Sequence, residues 1–195
     1  MRTLLPLIGL ILLISCKEVT FKEPQPKDKK PLPSVPKNLQ GKYLVMTEEG
    51  TPSKDTVVIT SRGYRFGYFD PEERAVKNDE YEEGVLGDSM VLKSFKGYFF
   101  LSLNEDPEWI LRVLKQEKNG DVLYMTLEDK TMEFNDYLEK LSAEIRIDSM
   151  TTEKETLYQI DPDPNQLVDL IKKGYFSEAR LIKVPLSKNA ARKLQ

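Results

Sequence analysis

The sequence predicts an α+β fold that is mainly antiparallel β, built as a meander sheet or a barrel with two short helices in the C-terminal part. Short runs rich in β-branched and aromatic residues recur from Leu39 onward at spacings typical of hairpin-linked strands. Turn-forming pairs separate those runs. Only two later segments place apolar residues at helical spacing.

Strands are expected over 41–47, 56–61, 64–69, 89–95, 98–104, 109–115 and 121–127. Arg62-Gly63, Gly87-Asp88, Lys96-Gly97 and Asn119-Gly120 lie between runs. Of these, Asn119-Gly120 is the strongest signal, because Asn-Gly suits the positive φ angles of a two-residue hairpin turn. Tyr64, Phe66 and Tyr68 alternate with Arg65, which places the three rings on one face of a strand, expected to be the core face. A helix over 131–141 follows from Phe134, Tyr137, Leu138 and Leu141. The second helix is more sharply marked. Asp163 suits the N-cap, Pro164 the first helical position, Gln166 the third position of a capping box, and Gly174 follows the final lysines. Further strands are expected over 143–148, 155–160 and 179–184.

The first residues are of a different kind. An apolar run over 4–14 is far shorter than the roughly 20 residues needed to span a bilayer, so it reads as the core of a secretory leader. It stops at Ser15-Cys16. Cys16 is the single cysteine of 195 residues, so no internal disulfide framework is possible. Residues 17–38 then carry five prolines, six lysines and three acids, the composition of a semi-rigid spacer. That stretch has a formal charge of +3 and residues 39–195 one of −7. An acidic body gives nucleic-acid phosphates nothing to condense on. The expected organisation is therefore a leader over 1–15, a modified cysteine and tether over 16–38, a β-rich globular domain over 39–186 and a tail over 187–195.

The residues Leu13-Ile14-Ser15-Cys16 resemble the lipobox of bacterial lipoprotein precursors. That resemblance implies cleavage after Ser15 and acylation of Cys16, which would anchor the protein in the cell envelope, at the outer membrane, by covalent lipid alone. Lys17-Glu18 also partly resembles the signal that sends some Bacteroidota lipoproteins to the cell surface, although Val19 and Thr20 interrupt the acidic run and leave the membrane face open. Gly41-Lys42-Tyr43 at the start of a meander resembles a lipocalin in outline, with Tyr43 where lipocalins usually have tryptophan. The segments GYFFLSLNEDPEWILRVLKQEKNGD and IDPDPNQLVDLIKKGYF look like those of β-rich Bacteroidota lipoproteins, a likeness that carries no known activity.

The chain has no histidine. With its single thiol assigned to lipid, Ser-His, Cys-His and Cys/His metal sites cannot be assembled. Serine-lysine and paired-carboxylate hydrolysis stay open, without a spacing that singles out a pair. Asp161, Asp163 and Asn165 alternate as in a calcium loop, but Gln166 and Lys172 stand where such a loop needs glycine and a bidentate glutamate, and a helix cap accounts for the same residues. The acidic stretch 79–83 is expected to be a solvated loop, with loose calcium binding as the alternative. Phe95, Tyr98, Phe99 and Phe100 are either core filling or the lining of an apolar ligand site, for which Trp109 would be the fluorescent reporter.

No catalytic residue, cofactor or metal ligand is therefore assigned, and Cys16 is the one modified site. The expected role is a non-catalytic interaction or accessory module with an envelope protein partner. The alternative is a carrier of a small apolar ligand, and the third reading is a carboxylate-based hydrolase. A cavity of a few hundred cubic ångströms separates the second reading from the first.

Overall fold

The computed structural model describes residues 18–47, 49–70, 75–151 and 156–185, with side chains described for all of these except 68–81. Cys16, Lys17 and the expected tail over 187–195 lie outside the described residues. In chain order the strands are β1 (Val19–Thr20), β2 (Gly41–Met46), β3 (Pro52–Ile59), β4 (Gly63–Asp70), β5 (Ala75–Val85), β6 (Met90–Phe95), β7 (Tyr98–Asn104), β8 (Trp109–Gln116) and β9 (Val122–Thr126). Helix α1 (Phe134–Ser142), strands β10 (Ile147–Thr151) and β11 (Thr156–Ile160), helix α2 (Pro164–Lys172) and strand β12 (Ser177–Val184) complete the series.

Two four-stranded meanders, β2 to β5 and β6 to β9, are joined by the last strand. β12 pairs antiparallel with β2 on one side and β9 on the other, giving a nine-stranded sheet in the order β5-β4-β3-β2-β12-β9-β8-β7-β6. The sheet curls into a nearly closed barrel, so the α+β, mainly antiparallel class expected from sequence is what the structure shows. At the remaining seam, Gly84 on β5 makes room for its neighbours: a Cβ there would lie 2.5 Å from the Tyr64 ring and 2.6 Å from Met90 Sδ on β6. Side chains of β4 and β6 thus meet over a glycine of β5.

Period-two alternation divides the barrel wall into two faces. Across β7, β8 and β9, Phe100, Val113 and Met125 pair in one row, and Phe99, Leu114 and Tyr124 pair in the next. The first row faces outward into a core shared with α1, α2 and a second sheet of order β1-β11-β10. The other row faces the barrel interior with Tyr43, Ile59, Leu92 and Leu181. Adjacent phenylalanines therefore serve different cores.

Both helices form, with local reasons for their limits. α2 has the expected cap: Asp163 Oδ1 accepts from the backbone N–H of Asn165 at 2.7 Å and of Gln166 at 3.0 Å, while Gln166 Oε1 accepts from Asp163 N at 2.9 Å. Its end is a Schellman turn in which Gly174, at φ 79°, donates to Ile171 O and Tyr175 donates to Leu170 O. α1 starts three residues later than expected because Thr131 is bound by Asp129, whose Oδ1 accepts from Thr131 N at 3.0 Å and Oγ1 at 2.6 Å. The strand expected over 143–148 begins only at Ile147, since Glu144 and Ile145 donate back to Leu141 O at the helix end. Tyr137 Oη donates to Tyr175 O at 2.9 Å, and Tyr175 Oη to Lys140 O at 3.3 Å, which pins the two helices together.

The turns exchange roles relative to expectation. Lys96 (φ 48°) and Gly97 (φ 82°) form the two-residue hairpin turn with left-handed angles at both positions. At Asn119-Gly120 only Gly120 has positive φ, and Glu117 N donates to Asp121 O across a three-residue loop. Asn119 Oδ1 instead accepts from Asp121 N at 3.0 Å.

Two further expectations are corrected. The acidic stretch 79–83 is no loop: it lies in β5, paired antiparallel with β4, and Glu83 forms an ion pair with its cross-strand neighbour Arg65 at 3.1 Å. The alternation that marks a strand is obscured there because both faces carry acids.

The spacer read over 17–38 is, across its described part, bound to the body. β1 pairs parallel with β11, and Phe21 exchanges backbone hydrogen bonds with Trp109 where β8 outruns β9. Gln25 N donates to Ser102 Oγ at 2.9 Å, and the buried Lys93 ammonium donates to Pro24 O at 2.6 Å and Pro26 O at 3.0 Å. Leu32 N donates to Leu92 O and Val35 N to Ser61 O. Proline-rich backbone has few donors of its own, yet its carbonyls still accept, and Lys93 supplies what they need.

Candidate functional site

The barrel interior is not filled. A cavity of about 350 Å³ lies inside it. Leu92, Leu101, Leu103 and Leu114 come from the second meander, Val45, Val57 and Ile59 from the first, and Ala179 and Leu181 from the joining strand. Val35 reaches in from the N-terminal segment, which places part of the expected tether in the cavity wall. Gly63 is also in the wall, where a Cβ would lie 1.9 Å from the Gly84 carbonyl oxygen, so no larger residue fits that approach.

Four polar side chains interrupt this apolar lining: Tyr64, Glu82, Arg112 and Tyr124. Arg112 sits in the row of Leu101 and Thr126, on the interior face of β8. Its guanidinium makes a bidentate pair with Glu18, with Nη1 donating to Oε1 and Nη2 donating to Oε2 at 3.1 Å. Both side chains are mostly buried, 17% and 19% exposed. Burial works against the charge of Arg112, but the hydrogen bond and charge of Glu18 outweigh it and hold the guanidinium above its ordinary range. Burial pushes the Tyr124 phenol up, with Arg112 opposing. The Tyr64 phenol is also raised, first by burial and then by the charge of Glu82. All three groups thus keep their ordinary neutral-pH forms, a cation and two neutral hydroxyls.

A second chamber of about 440 Å³ adjoins the first through shared residues. Arg112 and Tyr124 line both, while Glu18, Glu128, Asp129, Lys130, Met132 and Phe134 belong to the outer one. Asp129 is held well below the usual carboxylate range, to about 2, by its hydrogen bonds from Thr131 and Lys140.

The residues singled out from sequence are distributed differently. Phe95, Tyr98 and Phe100 pack in the outer core, and Phe99 joins the inner one without lining the cavity, whose rings are those of Tyr64, Phe66 and Tyr124. The Phe95 ring is instead covered by the ammonium groups of Lys29 at 4.7 Å and Lys96 at 5.3 Å. Trp109 also packs in the outer core, which removes it as a direct reporter of the cavity. The alternating calcium-loop residues do not converge: Asp163 caps α2, Asp161 pairs with Lys27 at 3.0 Å, and Asn165 Oδ1 accepts from Lys96 Nζ at 2.7 Å. Sequence reasoning missed Arg112 entirely. An arginine within the apolar run of Trp109–Leu114, at an inward position of the strand, is the signal that marks it.

No protein-family model matches the chain. No curated protein and no solved structure matches it either.

Proposed function

We propose that the chain is a cell-envelope lipoprotein, anchored through lipid on Cys16, whose barrel binds a small and mainly apolar ligand as a carrier or binding module. The observation that carries the ligand reading is the cavity of about 350 Å³, within the range of small-molecule sites and lined chiefly by aliphatic side chains with a few fixed polar groups. A bare interaction module has no use for such a void. Glu18, in the outer chamber wall, is bound by Arg112, which leaves it poorly suited to act as half of a hydrolytic pair. Support for the anchor is the leader and its Ser15-Cys16 junction. Among the described residues no helix is long and apolar enough to cross a membrane. One residue separates Cys16 from the packed Glu18, so an acyl group there would hold the barrel against the bilayer rather than at the end of a long spacer.

Two measurements test this reading. Mass spectrometry of the native N-terminus should find an acylated Cys16, and a bare thiol there refutes the anchor. A neutral apolar fluorophore, N-phenyl-1-naphthylamine, should gain fluorescence with the protein and lose that gain when Leu103→Trp fills the barrel. Equal signals with both proteins refute the cavity as the binding site.

A further inference from the structure

The two chambers differ in chemistry and meet at one collar. Arg112 and Tyr124 belong to both, and Glu18 fixes the guanidinium from the outer side. The inner chamber is chiefly aliphatic, with Tyr64 and Glu82 as its polar groups besides that collar. The outer one combines three acids, Glu18, Glu128 and Asp129, with two cations, Arg112 and Lys130, an excess of one negative formal charge that favours neutral hydrogen-bonding groups over an anion. An all-apolar ligand would use only the first chamber and leave a buried charge pair at its end, an arrangement that is hard to justify by stability alone.

From this geometry we infer that the ligand is a single-chain amphiphile whose uncharged head bears more than one hydroxyl, as a glycerol head does: the hydrocarbon chain occupies the barrel, and the head lies in the outer chamber against Arg112, Tyr124 and Glu18. This inference rests on the barrel being a ligand site. It adds the chemical class of the ligand and assigns the Glu18–Arg112–Tyr124 collar as the determinant of head-group specificity. Carboxylate heads are selected against because Arg112 already has a carboxylate partner and two further acids lie beyond it.

The test compares three ligands of the same chain length, 1-monolauroylglycerol, dodecanol and lauric acid, by displacement of N-phenyl-1-naphthylamine from the full chain, each below its aggregation threshold. Monolauroylglycerol is expected to bind about tenfold more tightly than either competitor, a difference worth one good hydrogen bond to a charged partner. Met132→Trp, which fills the outer chamber, should reduce monolauroylglycerol to the level of dodecanol while fluorophore binding stays unchanged. Thr126→Leu, a smaller intrusion beside Arg112, should act in the same direction and serves if the tryptophan variant does not fold. Equal affinity for the three ligands, tightest binding of lauric acid, or indifference of monolauroylglycerol to a folded outer-chamber variant overturns the inference. Failure of the fluorophore and dodecanol to bind at all overturns the underlying cavity reading instead.

Discussion

Replacing Glu18 by Gln removes the carboxylate that faces a mostly buried guanidinium, so the cost is that of an uncompensated charge rather than of one hydrogen bond. The expected loss is on the order of 3 kcal/mol for Glu18→Gln, and clearly less for the double variant Glu18→Leu with Arg112→Met, which removes both charges. Chemical denaturation of the unmodified protein, Glu18→Gln and the double variant checks this, and a double variant as unstable as Glu18→Gln contradicts it. Tyr43 gives a second residue-level expectation. Burial first, and then the charge of Asp121, push its phenol from 10.0 up to about 12. A folded-state value above the unfolded one means that the associated stability is complete below pH 10 and is lost as pH rises from 10 to 12. Denaturant midpoints should therefore fall across that window. Tyr43→Phe should fall less steeply and start about 1 kcal/mol lower at neutral pH, because Tyr43 Oη donates to Leu39 O at 2.7 Å. Tyr137, also raised by burial, keeps some of the alkaline slope in that variant.

At the scale of elements, the N-terminal segment behaves as a strap across β6, β7 and β8. Its central fastening is Lys93, whose ammonium is pushed below its ordinary range by burial yet donates to two carbonyls of the strap. Lys93→Met should leave the carbonyls of Pro24 and Pro26 without their charged donor and cost about 2–3 kcal/mol. Limited proteolysis should then cut within residues 18–39 before the barrel strands. Unaltered protection of that segment would show that the pairing of β1 and Phe21 suffices. The fold of the strap was hidden in the sequence for a physical reason. Prolines and lysines are the composition of a solvated linker, and the apolar residues that anchor it, Val19, Phe21, Leu32 and Val35, have no period because the segment follows the contour of the barrel.

For the molecule as a whole, the cavity is a reservoir of unrealised stability. The aliphatic side chains that line it lack packing partners on the cavity side and forfeit the dispersion contacts of a filled core. Leu103→Trp should therefore raise the melting temperature of the ligand-free protein while abolishing fluorophore binding, a separation of stability from function. A lowered melting temperature with binding retained would mean that the introduced indole cannot enter the cavity. Bound ligand should stabilise the unmodified protein by an amount that grows with the logarithm of its concentration above Kd. The position of β12 makes this a property of the whole chain. It closes the wall between the two meanders, so neither meander encloses the cavity without the strand that follows both helices.

The amino-acid sequence alone was enough for the mainly antiparallel class, most strand positions, both helices and the capping of α2, because each depends on alternation, helical spacing or residues a few positions apart. Strand β5 escaped because acids on both faces conceal alternation, and the aromatic stretch misled because β7 divides Phe99 and Phe100 between opposite faces. Barrel curvature, the strap and the collar were decided by tertiary structure. Glu18 and Arg112 are ninety-four positions apart, and whether a charge so placed is solvated or buried depends on which strands enclose it. A void, likewise, has no residue of its own: its size follows from how distant side chains fail to meet.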